Sequence, residues 1–344
     1  MIKVLVTGAG ALLGQGILRS LRMGENEYYI VSADPSELST GHALADTSYL
    51  IPLASDASYL NEIEDVILKE KVEYVFVGTD VELPLFAKKK KYLEDKYKVK
   101  VFVSSESVIE ISNDKKKTAD FLKKNGFPYP LSAMTYEPLD INKLKILGDY
   151  PYIAKPVDGA RSRGLVMINN EKELDELCSF KNNLVVQEYI NDSEGEFTTG
   201  CLIVEGKCKA VVSMVRDLRD GNTWRTYRNE ETSKHDLLIK EIANKLKADG
   251  AINFQYRVKN GRPVIFEING RFSGTTPVRA IYGFNEVEAL IDFYHKGKEI
   301  ETLNLREGTV LRTFSDLFIK NEEIESLKIN KKILKYNSEY ISFK

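Results

Sequence analysis

Residues 1 to 105 alternate strand-like and helix-like segments, and this rhythm limits the possible folds more than any other feature. Four apolar runs of strand length, KVLVTG (3–8), YYIVSAD (28–34), VEYVFVGTD (72–80) and VKVFVSS (99–105), are interspersed with the helical patterns GQGILRSLRM (14–23) and YLNEIEDVILKEK (59–71). Strands this uniformly apolar need cover on both faces, and helical crossovers between parallel neighbours supply it. An open, Rossmann-like parallel sheet of α/β class is expected. The working residues of such sheets lie in loops after the strand C-termini. Here those loops carry Gly8, Gly10 and Gly14, then Asp34, then Thr79, Asp80 and Glu82.

The pattern changes near residue 112. SNDKKKTADFLKKNGFPYP reads as a capped helix ended by Gly126 and Pro128, with Ser112, Asn113 or Asp114 as the cap. Beyond it, strands and helices mix without strict alternation, as in an α+β fold. The expected division is residues 1–111, then 112–298 with a small lobe at about 125–190, then a C-terminal strand and polar tail over 299–344. At 344 residues, two or three lobes are expected rather than one core.

AINFQYRVKNGRPVIFEINGRFSG (251–274) reads as a hairpin with polar groups on alternate positions. Asn253, Gln255 and Arg257 share one face of the first strand. Glu267, Asn269 and Arg271 share one face of the second, opposite Phe266 and Ile268. A strict two-residue Asn-Gly turn sets Gln255 against Phe266, and an unpaired buried amide costs on the order of 1–3 kcal/mol. A three-residue turn over 260–262 sets Gln255 against Glu267 and Phe254 against Ile268, so that register is expected. A carboxylate and two amide oxygens on a stiff sheet suit Mg²⁺ carried on phosphates, with Gln255, Glu267 and Asn269 as ligands. Arg271 suits a phosphoryl group. The segment IAKPVDGARSRGL (153–165) ends a strand at Lys155 and places Arg161, Ser162 and Arg163 between Gly159 and Gly164. Backbone N–H groups, a hydroxyl and two guanidiniums on such a loop suit a polyphosphate cover.

Composition excludes several classes. Charged residues make up 29% of the chain at a net charge of −2, so no global field favours nucleic acid or a membrane surface. No apolar run approaches a bilayer's thickness. Three cysteines without a C-x-x-C pair, and a start at a strand rather than a signal peptide, lead to the expectation of a cytoplasmic protein. The turn TGAGALLGQG, with Tyr92–Lys96 or Tyr294–Lys298 as a Y-x-x-x-K pair, admits an NAD(P)-dependent Rossmann enzyme as a distant alternative.

Taken together, DKKKT…FL, IAKPVDGARSRG, VVQEYI…GEFT, NFQ and FEINGRFSG resemble the ATP-grasp superfamily. The similarity is greatest to the branch around the carbamoyl phosphate synthetase large subunit and its carboxylate–amine ligase relatives. The set runs over about residues 1 to 295, with VGTDVELPLFA and the glycine turn resembling that branch's pre-ATP-grasp domain. The resemblance implies ATP between two lobes, with Lys115 and Lys155 on its phosphates and the 158–164 loop closing over them. It further implies Glu188, Tyr189 and Ile190 at adenine, Glu196 at the ribose, and one or two Mg²⁺, replaceable by Mn²⁺, on Gln255, Glu267 and Asn269. Arg271 would face the γ-phosphoryl group. Lys115 is chosen over Lys116 and Lys117 on motif position alone. Gly270 departs from the family's usual proline, and the two arginines of the 158–164 loop depart from its usual glycine and serine.

The implied activity is an ADP-forming carboxylate–amine ligase working through an acyl phosphate on small-molecule substrates, and homodimers occur among such enzymes. Arg216 or Arg225, near the single tryptophan Trp224, is the candidate for an anionic substrate, and Thr79, Asp80 and Glu82 for an amine. A nucleotide-binding regulatory protein without turnover is the main alternative.

Overall fold

The computed structural model describes every residue except 158–163, 181, 182, 302, 303, 314 and 342–344. Strands β1 (Ile2–Thr7), β2 (Tyr28–Asp34), β3 (Thr47–Leu50), β4 (Tyr74–Phe76) and β5 (Lys100–Phe102) form a parallel sheet in the order β3-β2-β1-β4-β5. The apolar runs are buried on both sides: Val4 and Val6 join one core, and Leu5, Val31 and Val75 the other. Strand order reverses on either side of β1. The crevice at this switch point lies between the loops that follow β1 and β4.

A four-stranded antiparallel sheet follows, built from β6 (Ser132–Met134), β7 (Tyr152–Pro156), β8 (Val166–Ile168) and β9 (Leu184–Glu188) in the order β6-β9-β7-β8. The third sheet contains β10 (Glu196–Val204), β11 (Lys207–Arg219), β12 (Asn222–Arg228), β13 (Gly250–Lys259), β14 (Arg262–Asn269) and β15 (Gly308–Leu311), ordered β14-β13-β10-β11-β12-β15. The helix Asp236–Leu246 covers one face of it, where Ile239, Ile242 and Ala243 pack on Phe254, Tyr256, Ile265 and Ile268. The helix Lys115–Lys124 is capped by Asp114, whose carboxylate accepts from the amides of Lys116 and Lys117.

The β13–β14 hairpin reaches the expected pairing by a different route. Asn260 and Gly261 both have positive φ, 53° and 72°, so the turn is the two-residue type and not the three-residue one. Tyr256 pairs with Ile265, the register then shifts by one residue, and Gln255 pairs with Glu267 and Phe254 with Ile268. Phe266 is the extra residue of a β-bulge. It leaves the core face assigned to it by simple alternation and joins Glu267 on the cleft side, while Ile265 takes its place in the core.

The C-terminal segment holds more than a strand and a tail. β15 extends the third sheet, Asp316–Ile319 pairs with Ser338–Ile341, and Lys332–Leu334 adds antiparallel to β3 beyond a helix at Asn321–Asn330. These short strands lie on the surface, so their sequences lack a two-residue apolar period. Among the described residues, no helix is long and apolar enough to cross a membrane.

Candidate active site

β13 is the axis of the site. Its neighbours in the sheet set Glu196 beside Arg257, Thr198 beside Gln255 and Gly200 beside Asn253. Residues two apart on a strand share a face, so Asn253, Gln255 and Arg257 form a row under two adjoining clefts. Arg257 lines the first cleft, Asn253 the second, and Gln255, Glu267 and Arg216 line both.

The first cleft, with a cavity volume of about 140 Å³, lies between the four-stranded sheet and the third sheet. Lys115, Lys155, Glu188, Tyr189, Ile190 and Glu196 all line it. The Lys155 amine sits 5.7 Å from the centre of the Phe266 ring. Burial pushes its pKa down to about 8, with Lys115 and Arg257 adding to the drop and Glu267 opposing it. Lys115 enters from the start of its helix and donates to the Val157 carbonyl at 3.3 Å. Glu188 pairs with Lys259. Arg257 donates to the Ile190 carbonyl at 2.6 Å and lies 5.5 Å from the Tyr189 ring centre. Glu196 is 7% exposed and takes Arg216 on one oxygen at 2.7 Å and Arg257 on the other at 2.8 Å. Two guanidiniums on one buried carboxylate fix all three side chains.

The donor set suits a hard cation shared with phosphates. Gln255 Oε1 and the Glu267 carboxylate face the clefts, and Asn269 Nδ2 donates to Glu267 Oε1 at 3.1 Å. Arg216 occupies Gln255 Oε1 at 2.7 Å, a place where a positive group is already stable. Among the described residues there is no cluster of three or more acidic, histidine or cysteine side chains suited to a metal. A magnesium ion here would draw on Glu267, the amide oxygens and its own phosphate and water ligands.

The second cleft, of about 180 Å³, opens at the switch-point crevice of the parallel sheet and is lined by Thr79, Asp80, Arg271, Ser273, Thr275 and Arg312 as well as the shared residues. Arg271 follows the end of β14 and binds Asp80 at 2.6 Å, joining the two sheets across the cleft. Glu82, expected at an amine, does not reach the cleft: it is 2% exposed and accepts from the hydroxyls of Thr7 and Tyr59 below the crevice, and burial raises its pKa to about 7. Arg225, expected at an anionic substrate, also lies away from the clefts. Trp224 is a bulge residue in β12, so Arg225 pairs with Asp217 at 2.5 Å on the face of the sheet opposite Arg216, and it lines neither cleft. Gly164 is exposed with φ 70°, whereas Gly159, Arg161, Ser162 and Arg163 lie outside the described residues.

The glycine turn after β1 packs against the protein itself. A Cβ on Gly14 would meet the Gly8 carbonyl oxygen at 2.2 Å, and one on Gly8 would meet Thr79 at 2.5 Å. The Gly10 amide, a natural pyrophosphate donor, is taken by Asp34 at 2.7 Å. Tyr92 and Lys96 both bond to Glu64. These contacts favour close strand–helix packing over dinucleotide binding.

The sequence pattern gave no role to Arg312, Asn253 or Phe266. Asn253 and Arg257 share the Gln255 period, a signal that was present. Arg312 reaches the cleft from a segment that carries no motif.

Residues 112–275 match the family model for the ATP-grasp domain, and residues 4–102 match that for the PylC-like N-terminal domain. The carbamoyl phosphate synthase large chain of Thermoanaerobacter pseudethanolicus is 23% identical over 341 residues, covering 90% of this chain and 30% of that protein. The chain therefore spans about 30% of the length of such curated relatives. The biotin carboxylase domain of Hydrogenobacter thermophilus 2-oxoglutarate carboxylase, solved with MgADP and bicarbonate, superposes with a TM-score of 0.70 at 19% identity, over 92% of this chain and 74% of that one. An L-amino acid ligase from Bacillus licheniformis gives 0.63 at 16% identity, over 93% and 80%.

Proposed function

We propose, from the premise that this chain carries an ATP-grasp domain behind a PylC-like N-terminal domain, that it is an ATP- and Mg²⁺-dependent, ADP-forming carboxylate–amine ligase. The observation that carries this reading is the meeting of the two clefts at Gln255, Glu267 and Arg216, with the half-buried Lys115 and Lys155 on one side and Arg271, Asp80 and Arg312 on the other. A phosphoryl donor bound in the first cleft would end where a carboxylate in the second begins.

Lys115 and Lys155 neutralise the phosphates, and the apolar wall of Phe266 and Ile190 excludes water from them. Magnesium, held by Glu267 with Gln255 and Asn269 near it, would spread the charge of the transferring group. The substrate carboxylate attacks the γ-phosphorus as the β–γ bridging bond breaks, giving ADP and an acyl phosphate. The amine then adds to the acyl carbon, phosphate leaves with the bonding electron pair, and the nitrogen's proton passes to solvent. Arg271 supplies charge where the phosphoryl group travels, and Asp80 supplies the complementary charge for an ammonium group. Such a site acts through positioning and electrostatics, in keeping with a chain that has three histidines and none among the residues lining either cleft.

The test is phosphate release on incubation with ATP, Mg²⁺ and mixed amino acids, followed by mass spectrometry for a new amide. Release that requires both substrates supports the reading. Nucleotide binding without release for any carboxylate–amine pair returns the protein to a regulatory role.

A further inference from the structure

Beyond the second cleft lies a larger space that the ligase reading leaves unused. It opens between the helix Leu12–Met23, the turn joining β11 to β12, and β15, with a cavity volume of about 820 Å³. Leu12, Asn222, Thr223, Gly274 and Arg312 line both, so the two are continuous. Its walls are apolar and open to water: Met23 is 47% exposed, Ile281 40% and Leu311 60%. Exposed apolar side chains gathered on one concave surface mark a binding site more often than chance scatter does.

The rim has a clear sign. Among the described residues, Arg19, Arg22, Arg219 and Arg312 line the groove, against Asp220 as its one carboxylate. Arg22 is paired with Asp46 at 2.9 Å, and Arg219 lies over the Trp224 ring at 4.0 Å. Arg312 is half-buried where the groove meets the cleft and donates to the Gly274 carbonyl. Burial and the nearby positive charge of Arg19 both disfavour its charged form. Arg19 is exposed on its helix and Arg312 half-buried, both lining the groove, and two like charges facing one space gain from an anion between them.

We propose that this groove binds the far end of the acceptor substrate, and that the substrate is an organic anion with an apolar body, larger than a small amino acid. Arg312 and Arg19 hold its anionic group, and Met23, Ile281, Leu311 and Trp224 hold the body. The identification of this molecule as the acceptor rests on the ligase reading; the existence of the site does not.

Trp224 is the only tryptophan in the chain and lines the groove, so its fluorescence reports binding directly. The full chain, without ATP, is titrated with 4-phenylbutyrate, 4-phenylbutylamine and 4-phenylbutanol. The carboxylate is expected to bind about tenfold or more tighter than the other two, a difference of about 1.4 kcal/mol. Arg312→Gln is expected to remove that preference. Arg19→Gln, on an exposed helix face, is expected to weaken the carboxylate about threefold or more without risk to folding. Equal affinity for the three probes, or an Arg19→Gln protein with unaltered preference, overturns the proposal. So does sedimentation showing that a second copy of the chain closes the groove. In the phosphate-release assay, turnover of small amines with no anion binding would leave the ligase reading standing and remove the groove's role. Anion binding with no turnover would do the reverse.

Discussion

Lys155 allows stability and function to be separated by one substitution. Burial pushes its amine down to about 8 from an ordinary 10.5. Below pH 8 the lysine is protonated in both folded and unfolded chains, and the folded protein bears the full penalty of an incompletely compensated buried charge. Between about 8 and 10.5 the folded chain loses its proton first, the unfolded state holds more protons, and stability rises with pH. The gap of roughly 2.5 pH units, at about 1.36 kcal/mol each, is on the order of 3 kcal/mol. Water at the pocket mouth lowers this, and 1–3 kcal/mol is the working range. Lys155→Met keeps the length of the side chain and removes the charge. The nucleotide-free variant is expected to be more stable than the parent by about 1–3 kcal/mol at pH 7, with less than half of that gain remaining at pH 9.5. The same variant is expected to lose most of the stabilisation that saturating MgATP gives, about 2.7 kcal/mol at a hundredfold excess over Kd. Urea denaturation at both pH values, with and without MgATP, reads all three effects. A variant less stable than the parent at pH 7, a gain independent of pH, or full stabilisation by MgATP would each refute the reasoning.

Glu267→Gln is expected to cut phosphate release by at least about a hundredfold, and calorimetry is expected to show MgATP binding weakened more than metal-free ATP binding. Arg271→Ala is expected to reduce kcat by about two orders of magnitude with MgATP affinity within a few fold of the parent, because the side chain lies beyond the nucleotide cleft. Deleting Phe266 would remove the bulge residue and leave Ile265 and Glu267 on their present faces, so the chain is expected to remain folded by circular dichroism. The deletion also removes the wall beneath Lys155, with nucleotide affinity falling about tenfold. Glu82 holds its proton up to about pH 7 in the folded state against an ordinary 4.5, so its contribution to stability falls as pH rises from 4.5 through 7. Glu82→Gln is expected to flatten that part of the pH–stability curve, measured by denaturation midpoint, and to stabilise the protein by roughly 1–3 kcal/mol at pH 8.

The parts of the fold legible in the sequence were those written in a local period. The parallel sheet follows from apolar runs separated by helical patterns, and Gln255 and Glu267 stand out because two residues per repeat is a strong signal on a half-buried strand. What escaped was set by contacts between strands. A bulge shifts every later residue to the other face, and neither Phe266 nor Trp224 announces that it is the extra one. Arg216 and Arg225 look equivalent in sequence, yet plain alternation along β11 puts Arg216 in the clefts while the β12 bulge turns Arg225 to Asp217 on the other face. Glu82 follows the same loop as Asp80, but its place in a short helical turn directs it inward to Tyr59. Arg312 depends on β15 pairing with β12 over a long stretch of intervening chain, and nothing near it in sequence encodes that pairing.

The row on β13 also works as a ruler. Strand pitch is about 3.3 Å per residue, so Arg257 and Asn253 are separated by roughly 13 Å along the backbone, with Gln255 halfway. That interval is fixed by covalent geometry and by hydrogen bonds to strands on both sides, and side-chain substitutions along it leave it unchanged. Under the ligase reading proposed above, a substrate brings its nucleophile to the middle graduation, whatever the size of its remainder. Changes in substrate preference are therefore to be sought at the far walls of the clefts, because the scale between them does not stretch.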